Sequence, residues 1–301
     1  MLHIVTVATE EKYYFPFLKS SCQKNGISLT VLGMGEKWQG FNWRYQKMLE
    51  FLKKTDPNDI VCFVDGYDVI CSRNLLELPA EFERISNKTR CKIIVGQDNI
   101  SNFFNKIFSY LTFGTCNGIF LNAGTYIGYS KDIREIIQNI YALNPRNDAD
   151  DQVLMTRYCS KNSSDFYIDV KGDIFLCVVD TLNDIDEQVI SQTQINTHNN
   201  GPFFIHANGY GILDNTIRRL GYDPENQLEK LDIPSQYKKD ILYNKLFMYF
   251  WIFLRDWFFI IIIFLIIILF LLFLYIFPDF FQNRFLSNIH VILRKMSKSN
   301  R

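Results

Sequence analysis

Two carboxylates stand three residues apart at Asp65 and Asp68, with Tyr67 between them, directly after the apolar run Ile60-Val61-Cys62-Phe63-Val64. Hard divalent cations take oxygen ligands, and Mg²⁺ or Mn²⁺ is commonly held by one or two carboxylates completed by substrate phosphates. The pair therefore suits a metal–diphosphate site. A plainer role suits it too, because Asp68 or Ser72 could cap a helix starting near Leu75. On these residues alone both readings stay open.

His206 follows a second short apolar run, Phe203-Phe204-Ile205. By itself it reads as a structural histidine. Beside Asp65 it would complete an acid–acid–imidazole set that suits Mn²⁺ better than Ca²⁺. Asp148, Asp150 and Asp151 crowd a helix start, where each carboxylate stabilises the N-terminus by ~0.3–1 kcal/mol without any catalytic duty. The sequence contains no P-loop, GxGxxG, GxSxG or HExxH pattern. That argues against ATPases, dehydrogenases, the usual hydrolases and zinc proteases.

Positioning these residues requires alternating elements. Apolar, β-branched runs predict strands over 3–8, 27–32, 59–64 and 91–95. Helical spacing predicts helices over 13–24, 45–54, 75–85 and 131–142, and another opens at 147–152. Such alternation implies an α/β domain with a mostly parallel central sheet and helices on both faces. Ligands then collect beyond the carboxyl ends of the strands, which sets residues 6–9 and 65–68 on one rim. Ala123, Gly124 and Gly128 mark backbone that another group approaches closely.

Lys+Arg and Asp+Glu number 32 each, so no net charge draws the chain to nucleic acid, and none is expected as a partner. The 27 Phe are unevenly spread: residues 257–277 carry no charge. At ~1.5 Å per residue that stretch crosses ~30 Å of hydrocarbon. The expected organisation is a head over 1–235, a juxtamembrane segment over 236–256, a single transmembrane helix over 257–277 in a lipid bilayer, and a short basic tail over 278–301. The start, MLHIVTVATEE, does not read as a signal peptide, so the head is expected in the cytosol. Lys238, Lys239, Lys245 and Arg255 nearly balance the tail's Arg284, Arg294, Lys295, Lys298 and Arg301 across the span. Asn87-Lys88-Thr89 and Asn162-Ser163-Ser164 match the glycosylation acceptor pattern, which matters only for a lumenal head. The seven cysteines lack CxxC spacing, and Cys62 and Cys177, inside apolar runs, read as buried thiols.

The motifs IVTVATEE, VLGMGEKWQGF, YQKMLEFL, CFVDGYDVI, FLNAGTYIGYS, DADDQ and HANGYG occur in that order. Together they resemble the glycosyltransferase domain of the multifunctional procollagen lysyl hydroxylases and the related collagen glycosyltransferases, across about residues 2–212. The resemblance implies a GT-A fold followed here by one membrane helix, with Mn²⁺ or Mg²⁺ as cofactor and a UDP-sugar as donor. Carried over residue by residue, Asp65, Asp68 and His206 hold the metal, and Tyr67 stacks on uracil. Thr6, Val7, Ala8 and Thr9 line the nucleotide pocket, Trp38 belongs to the loop over the sugar, and Lys47 meets a phosphate. Asn122 and Gly124 lie near the sugar, Asn208 and Gly209 near the diphosphate, while Asp150 and Asp151 position donor or acceptor.

The function so implied is membrane-anchored transfer of a hexose from UDP-glucose or UDP-galactose to a protein or glycan acceptor. Hydroxylysine and galactosyl-hydroxylysine of a collagen-like chain are the acceptors the resemblance suggests. The family's glucosyl transfer retains anomeric configuration, so no general base is required. Three departures stand out. The loop between Trp38 and Lys47 is short and lacks a glycine-rich insertion, and Ala207 and Tyr210 replace a more typical glycine and proline. A membrane span follows in place of an iron-dependent hydroxylase domain, so lysine hydroxylation is not expected. Two rivals remain: a degenerate member that binds sugar nucleotide or collagen-like polypeptide without turnover, and a structural membrane protein whose head only recruits partners.

Overall fold

The structure is a computed structural model that describes residues 1–100, 103–178, 201–208, 213–222 and 234–277. Its strands, in chain order, are β1 (Leu2–Val7), β2 (Leu29–Leu32), β3 (Ile60–Val64), β4 (Val69–Cys71), β5 (Ile93–Gln97), β6 (Leu121–Tyr129), β7 (Phe166–Asp169), β8 (Phe175–Cys177) and β9 (Phe204–His206). The helices packed with them are α1 (Phe15–Lys24), α2 (Trp43–Leu52), α3 (Leu78–Thr89), α4 (Phe103–Phe113), α5 (Ser130–Leu143) and α6 (Asp151–Lys161). The main sheet runs β2-β1-β3-β6-β5-β7, and β4, β9 and β8 make a smaller one. Within the main sheet pairing is parallel except at β6, which runs antiparallel to both β3 and β5. The sheet is thus mostly parallel, as the alternation predicts, with one reversed strand.

β3 is buried at every position because helices cover both faces of the sheet. Val61 and Phe63 join the core built with α2, α5 and α6, whereas Ile60, Cys62 and Val64 join the core built with α1 and α3. On α5, Ile133, Ile136, Ile137 and Ile140 fall on one stripe and are all buried. Each such side chain stabilises the fold by about 1.5–3 kcal/mol through burial. Pro16 sits in the first turn of α1, where its missing N–H costs nothing.

The predicted helix over 75–85 is a 3₁₀ turn at Leu75–Glu77 leading into α3. Its cap is Asn74, whose side chain accepts from the Leu76 amide at 3.1 Å. Neither Asp68 nor Ser72 caps it: the Ser72 hydroxyl donates to the Pro202 carbonyl at 2.8 Å. The capping explanation of the acid pair therefore falls. The small-residue stretch before Tyr129 is the long strand β6. Cys116 and Cys159 form a disulfide joining the turn ahead of β6 to α6. Cys62 and Cys177 are buried free thiols, as expected.

From Phe247 the chain forms a second compact unit. Within it, Trp257–Ile276 is helical and long and apolar enough to cross a membrane, with none of it buried. The expected basic tail lies outside the described residues.

Candidate active site

The site is assembled from three chain segments. Asp65 leaves β3 with its amide donating to the Gly124 carbonyl of β6 at 2.8 Å. The chain then passes the end of β1 so closely that a Cβ on Gly66 would lie 3.0 Å from Thr6 Oγ1. β4 follows and pairs antiparallel with β9, setting Val69 opposite His206, and the Ala207 amide donates to the Asp68 carbonyl at 2.8 Å. The ligand atoms of Asp65, Asp68 and His206 all lie within 4.8 Å of one another.

His206 Nε2 stands 3.2 Å from Asp68 Oδ1 and 3.8 Å from Asp65 Oδ2. It is buried, yet makes no hydrogen bond of acceptable geometry. On the other side of the ring, Nδ1 is 3.8 Å from Cys177 Sγ. A Cβ on Gly124 would strike the Asp65 carboxylate and lie 2.8 Å from His206 Cε1, so glycine leaves the room this cluster needs. Burial pushes the Asp65 carboxyl up to about 6, with Arg44 pulling it down and Asp68 pushing it further up. Burial also opposes charge on His206, but neighbouring Asp68 outweighs it and raises the imidazole well above its ordinary value. Two carboxylates around one orphaned imidazole nitrogen fit a divalent cation.

Facing this corner is Arg44 of α2. Its guanidinium donates to Asp65 Oδ1 and, through Nε at 3.0 Å and through Nη2, to Asp151 Oδ2. Phe41 and Phe63 present their rings to it at 5.4 and 5.8 Å. Burial works against its charge, but Asp151 and Asp65 hold the proton more firmly than water does. Asp150 takes the helix-start role, Oδ1 accepting from the Val153 amide at 3.0 Å. Asn122 is buried on β6, its Oδ1 accepting from the Gly124 amide at 2.9 Å.

At the end of β1 Thr6, Val7 and Ala8 are buried, with Thr6 Oγ1 lacking a partner, and Thr9 is half-buried. The Tyr67 hydroxyl accepts from the Thr9 amide at 2.9 Å, and its ring meets Tyr13 edge-on at 6.0 Å. Residues 6–9 and 65–68 thus share one rim. Trp38 is 39% exposed and packs edge-on against Phe41 and Trp43. Lys47 Nζ lies 5.3 Å over the Trp43 ring and donates to Glu36 Oε1 at 2.6 Å. The short loop is pinned: Asn42 Nδ2 donates to the Asn144 and Arg146 carbonyls at 2.8 Å each. Asn208 Nδ2 donates to Asp98 Oδ1 at 2.6 Å, and Gly209 lies outside the described residues.

Arg44 and Asp98 escape sequence reasoning. For Asp98 a signal existed, since it follows β5 as Asp65 follows β3; it also accepts from Gln152 Nε2 at 3.3 Å, and burial raises its carboxyl. For Arg44 none did, as both its partners are distant in sequence. A separate apolar groove of about 310 Å³ lies along residues 106–120, bordered by Tyr110, Leu111 and Phe120.

A family model described as the PLOD GT domain matches residues 1–221. The chain is 24% identical over 235 residues to a procollagen-lysine,2-oxoglutarate 5-dioxygenase of Drosophila melanogaster, covering 71% of this chain and 31% of that one. It is 26% identical over 230 residues to a multifunctional procollagen lysine hydroxylase and glycosyltransferase of Caenorhabditis elegans, covering 69% and 30%. Among solved structures, a glycosyltransferase involved in the glycosylation of the major capsid of PBCV-1 aligns with a TM-score of 0.43 at 15% identity, over 69% of this chain and 94% of that one. The chain spans about a third of the length of the curated relatives it matches.

Proposed function

The chain belongs to the PLOD GT domain family of glycosyltransferases, and from that premise we propose that its head moves a hexose, glucose or galactose, from a UDP-sugar to an acceptor. The observation that carries the reading is the convergence of Asp65, Asp68 and His206 on the rim of the sheet, in space that Gly124 keeps open. These three residues would hold Mn²⁺, or Mg²⁺ in its place. When bound, the cation supplies Lewis-acid neutralisation of the leaving diphosphate.

The remaining roles belong to the chain itself. Tyr67 and the buried end of β1 offer a wall for the base, and Thr6 Oγ1 is a polar atom still lacking a partner there. Asp151, fixed by Arg44, orients donor or acceptor, and Asn122, bonded to the Gly124 amide at the start of β6, borders the sugar. Trp38 and Lys47, on the pinned loop and the helix after it, border the donor. A collagen-like chain bearing hydroxylysine or galactosyl-hydroxylysine is the acceptor class carried over from the family, and a lipid bilayer would anchor the protein through Trp257–Ile276. The Cys116–Cys159 disulfide supports a head in an oxidising compartment, against the cytosolic placement suggested by the amino terminus.

The test uses the full chain in detergent with a panel of UDP-sugars, following UDP release with Mn²⁺, with Mg²⁺ and with chelator. Release that requires both the metal and intact Asp65 and Asp68 is expected. Metal-dependent UDP binding without turnover on any donor and acceptor would leave a binding protein. No metal-dependent binding would overturn the reading.

A further inference from the structure

One guanidinium touches both halves of the site. We infer that Arg44 is a positioning residue that divides Asp65 between two cations: Oδ1 goes to Arg44, Oδ2 is left for the metal, and the same guanidinium holds Asp151 in register with them. The inference rests on the metal-dependent transferase reading above and adds to it a residue that no motif marks.

The two oxygens of Asp65 have different surroundings. Oδ1 accepts from Arg44, whereas Oδ2 faces His206 Nε2 at 3.8 Å and lies where a side chain on Gly124 would begin. A carboxylate occupied in this way offers one oxygen to a metal, not two. The planar fork matters, because Nε and Nη2 both reach Asp151 Oδ2 while Nη1 reaches Asp65. A lysine ammonium carries the charge but cannot span both carboxylates from fixed directions.

The clamp itself is held. Arg44 is only 7% exposed, with Phe63 and Phe41 against its guanidinium. It lies two residues after Asn42, whose side chain is tied to the carbonyls of Asn144 and Arg146. Those carbonyls belong to the segment that runs into Asp151. The short loop therefore fixes both ends of the Arg44–Asp151 pair at once. Arg44 also offsets one of the three converging carboxylates, Asp65, Asp68 and Asp151, which an incoming diphosphate would otherwise meet.

The experiment compares wild type, Arg44→Gln, Arg44→Lys and Asp65→Ala as full chains in detergent, by two readouts. The first is Mn²⁺ binding without nucleotide, read from the free-ion paramagnetic resonance signal. The second is donor turnover, separated into kcat and KM. Arg44→Gln is expected to bind Mn²⁺ at least as tightly as wild type, since a competing cation has left Asp65, whereas Asp65→Ala loses binding. Its kcat is expected to fall about 100-fold, with KM within about threefold of wild type. Arg44→Lys, keeping charge without the fork, is expected to lose about tenfold in kcat.

Weakened Mn²⁺ binding in Arg44→Gln, comparable to Asp65→Ala, overturns the inference. So does an unchanged kcat in both Arg44 variants, or an effect confined to KM. Wild type that binds Mn²⁺ but turns over no donor overturns the transferase reading instead, and the Mn²⁺ comparison then decides the role of Arg44 alone. Wild type that binds no Mn²⁺ overturns both.

Discussion

The amide of Asp65 donates to the carbonyl of Gly124 at 2.8 Å, and the place where a side chain on Gly124 would begin is already filled by the Asp65 carboxylate. The pairing that fixes the acid forbids a side chain on its partner. Gly124→Ala is therefore expected to displace Asp65 and His206 and to weaken Mn²⁺ binding by roughly 10–100-fold, as loss of support around a ligand does. Metal titration alongside circular dichroism checks this. Wild-type affinity in a folded variant would dispose of the steric argument.

Lys47 is held by Glu36 at 2.6 Å in a pair whose acid is 44% exposed. Such pairs contribute about 0–1 kcal/mol, so little energy opposes transfer of the ammonium to a phosphate. Glu36→Gln is expected to lower the donor KM by up to about fivefold. Lys47→Ala is expected to raise it about tenfold. Steady-state kinetics with the two variants decide; a KM insensitive to both would remove Lys47 from the donor site.

Asp169 closes the turn between β7 and β8, accepting from the amides of Asp173 at 3.0 Å, Ile174 at 2.7 Å and Phe175 at 2.9 Å. Burial nevertheless lifts its carboxyl from 3.8 to about 6. The folded state thus holds this proton more firmly than the unfolded chain. Its contribution to stability is largest in acid, falls as pH rises from about 4 to about 6, and is level above that. Asp169→Asn should lack that slope in urea melts, and be less stable at neutral pH by about 1–3 kcal/mol because its amide N–H₂ meets backbone donors. Persistence of the wild-type slope would assign it to another group.

The Cys116–Cys159 bond joins residues 43 apart in sequence. Cys116→Ser, or reduction, is expected to lower stability by about 2–4 kcal/mol. Its presence also bears on the compartment that would hold the head, because disulfides persist in oxidising compartments. Asn87 is exposed on α3 and should carry a glycan in cells that glycosylate secreted proteins. Protein from such cells with bare Asn87 and reduced cysteines would return the head to the cytosol.

The acid pair after β3 was legible because a strand and its rim are written in consecutive residues. His206 was not linked to it by any local pattern. The register of β4 against β9 makes that link, and registers between distant strands leave no period in a sequence. The capping alternative falls for a local reason: Asn74 and Ser72 are both good caps, and Asn74 takes the role while Ser72 bonds to Pro202. β6 was read only as a place of close approach, because Gly124 and Gly128 trade strand propensity for clearance from Asp65 and Ile93. Arg44 was invisible, since both its partners come from other parts of the chain.

The reversal of β6 has a consequence for how such a chain can vary. Parallel strands deliver their ends to the rim, but β6 delivers its start, so the connection from β5 into β6 ends at the same edge as Asp65. That segment meets the rim through Asp98, whose carboxylate engages Asn208 and Gln152. Asp65 and His206, by contrast, are placed by the registers of β3 against β6 and of β4 against β9. Changes in the length of that connection leave the register of β3 against β6 intact, so what arrives at the rim and the placement of Asp65 are separable.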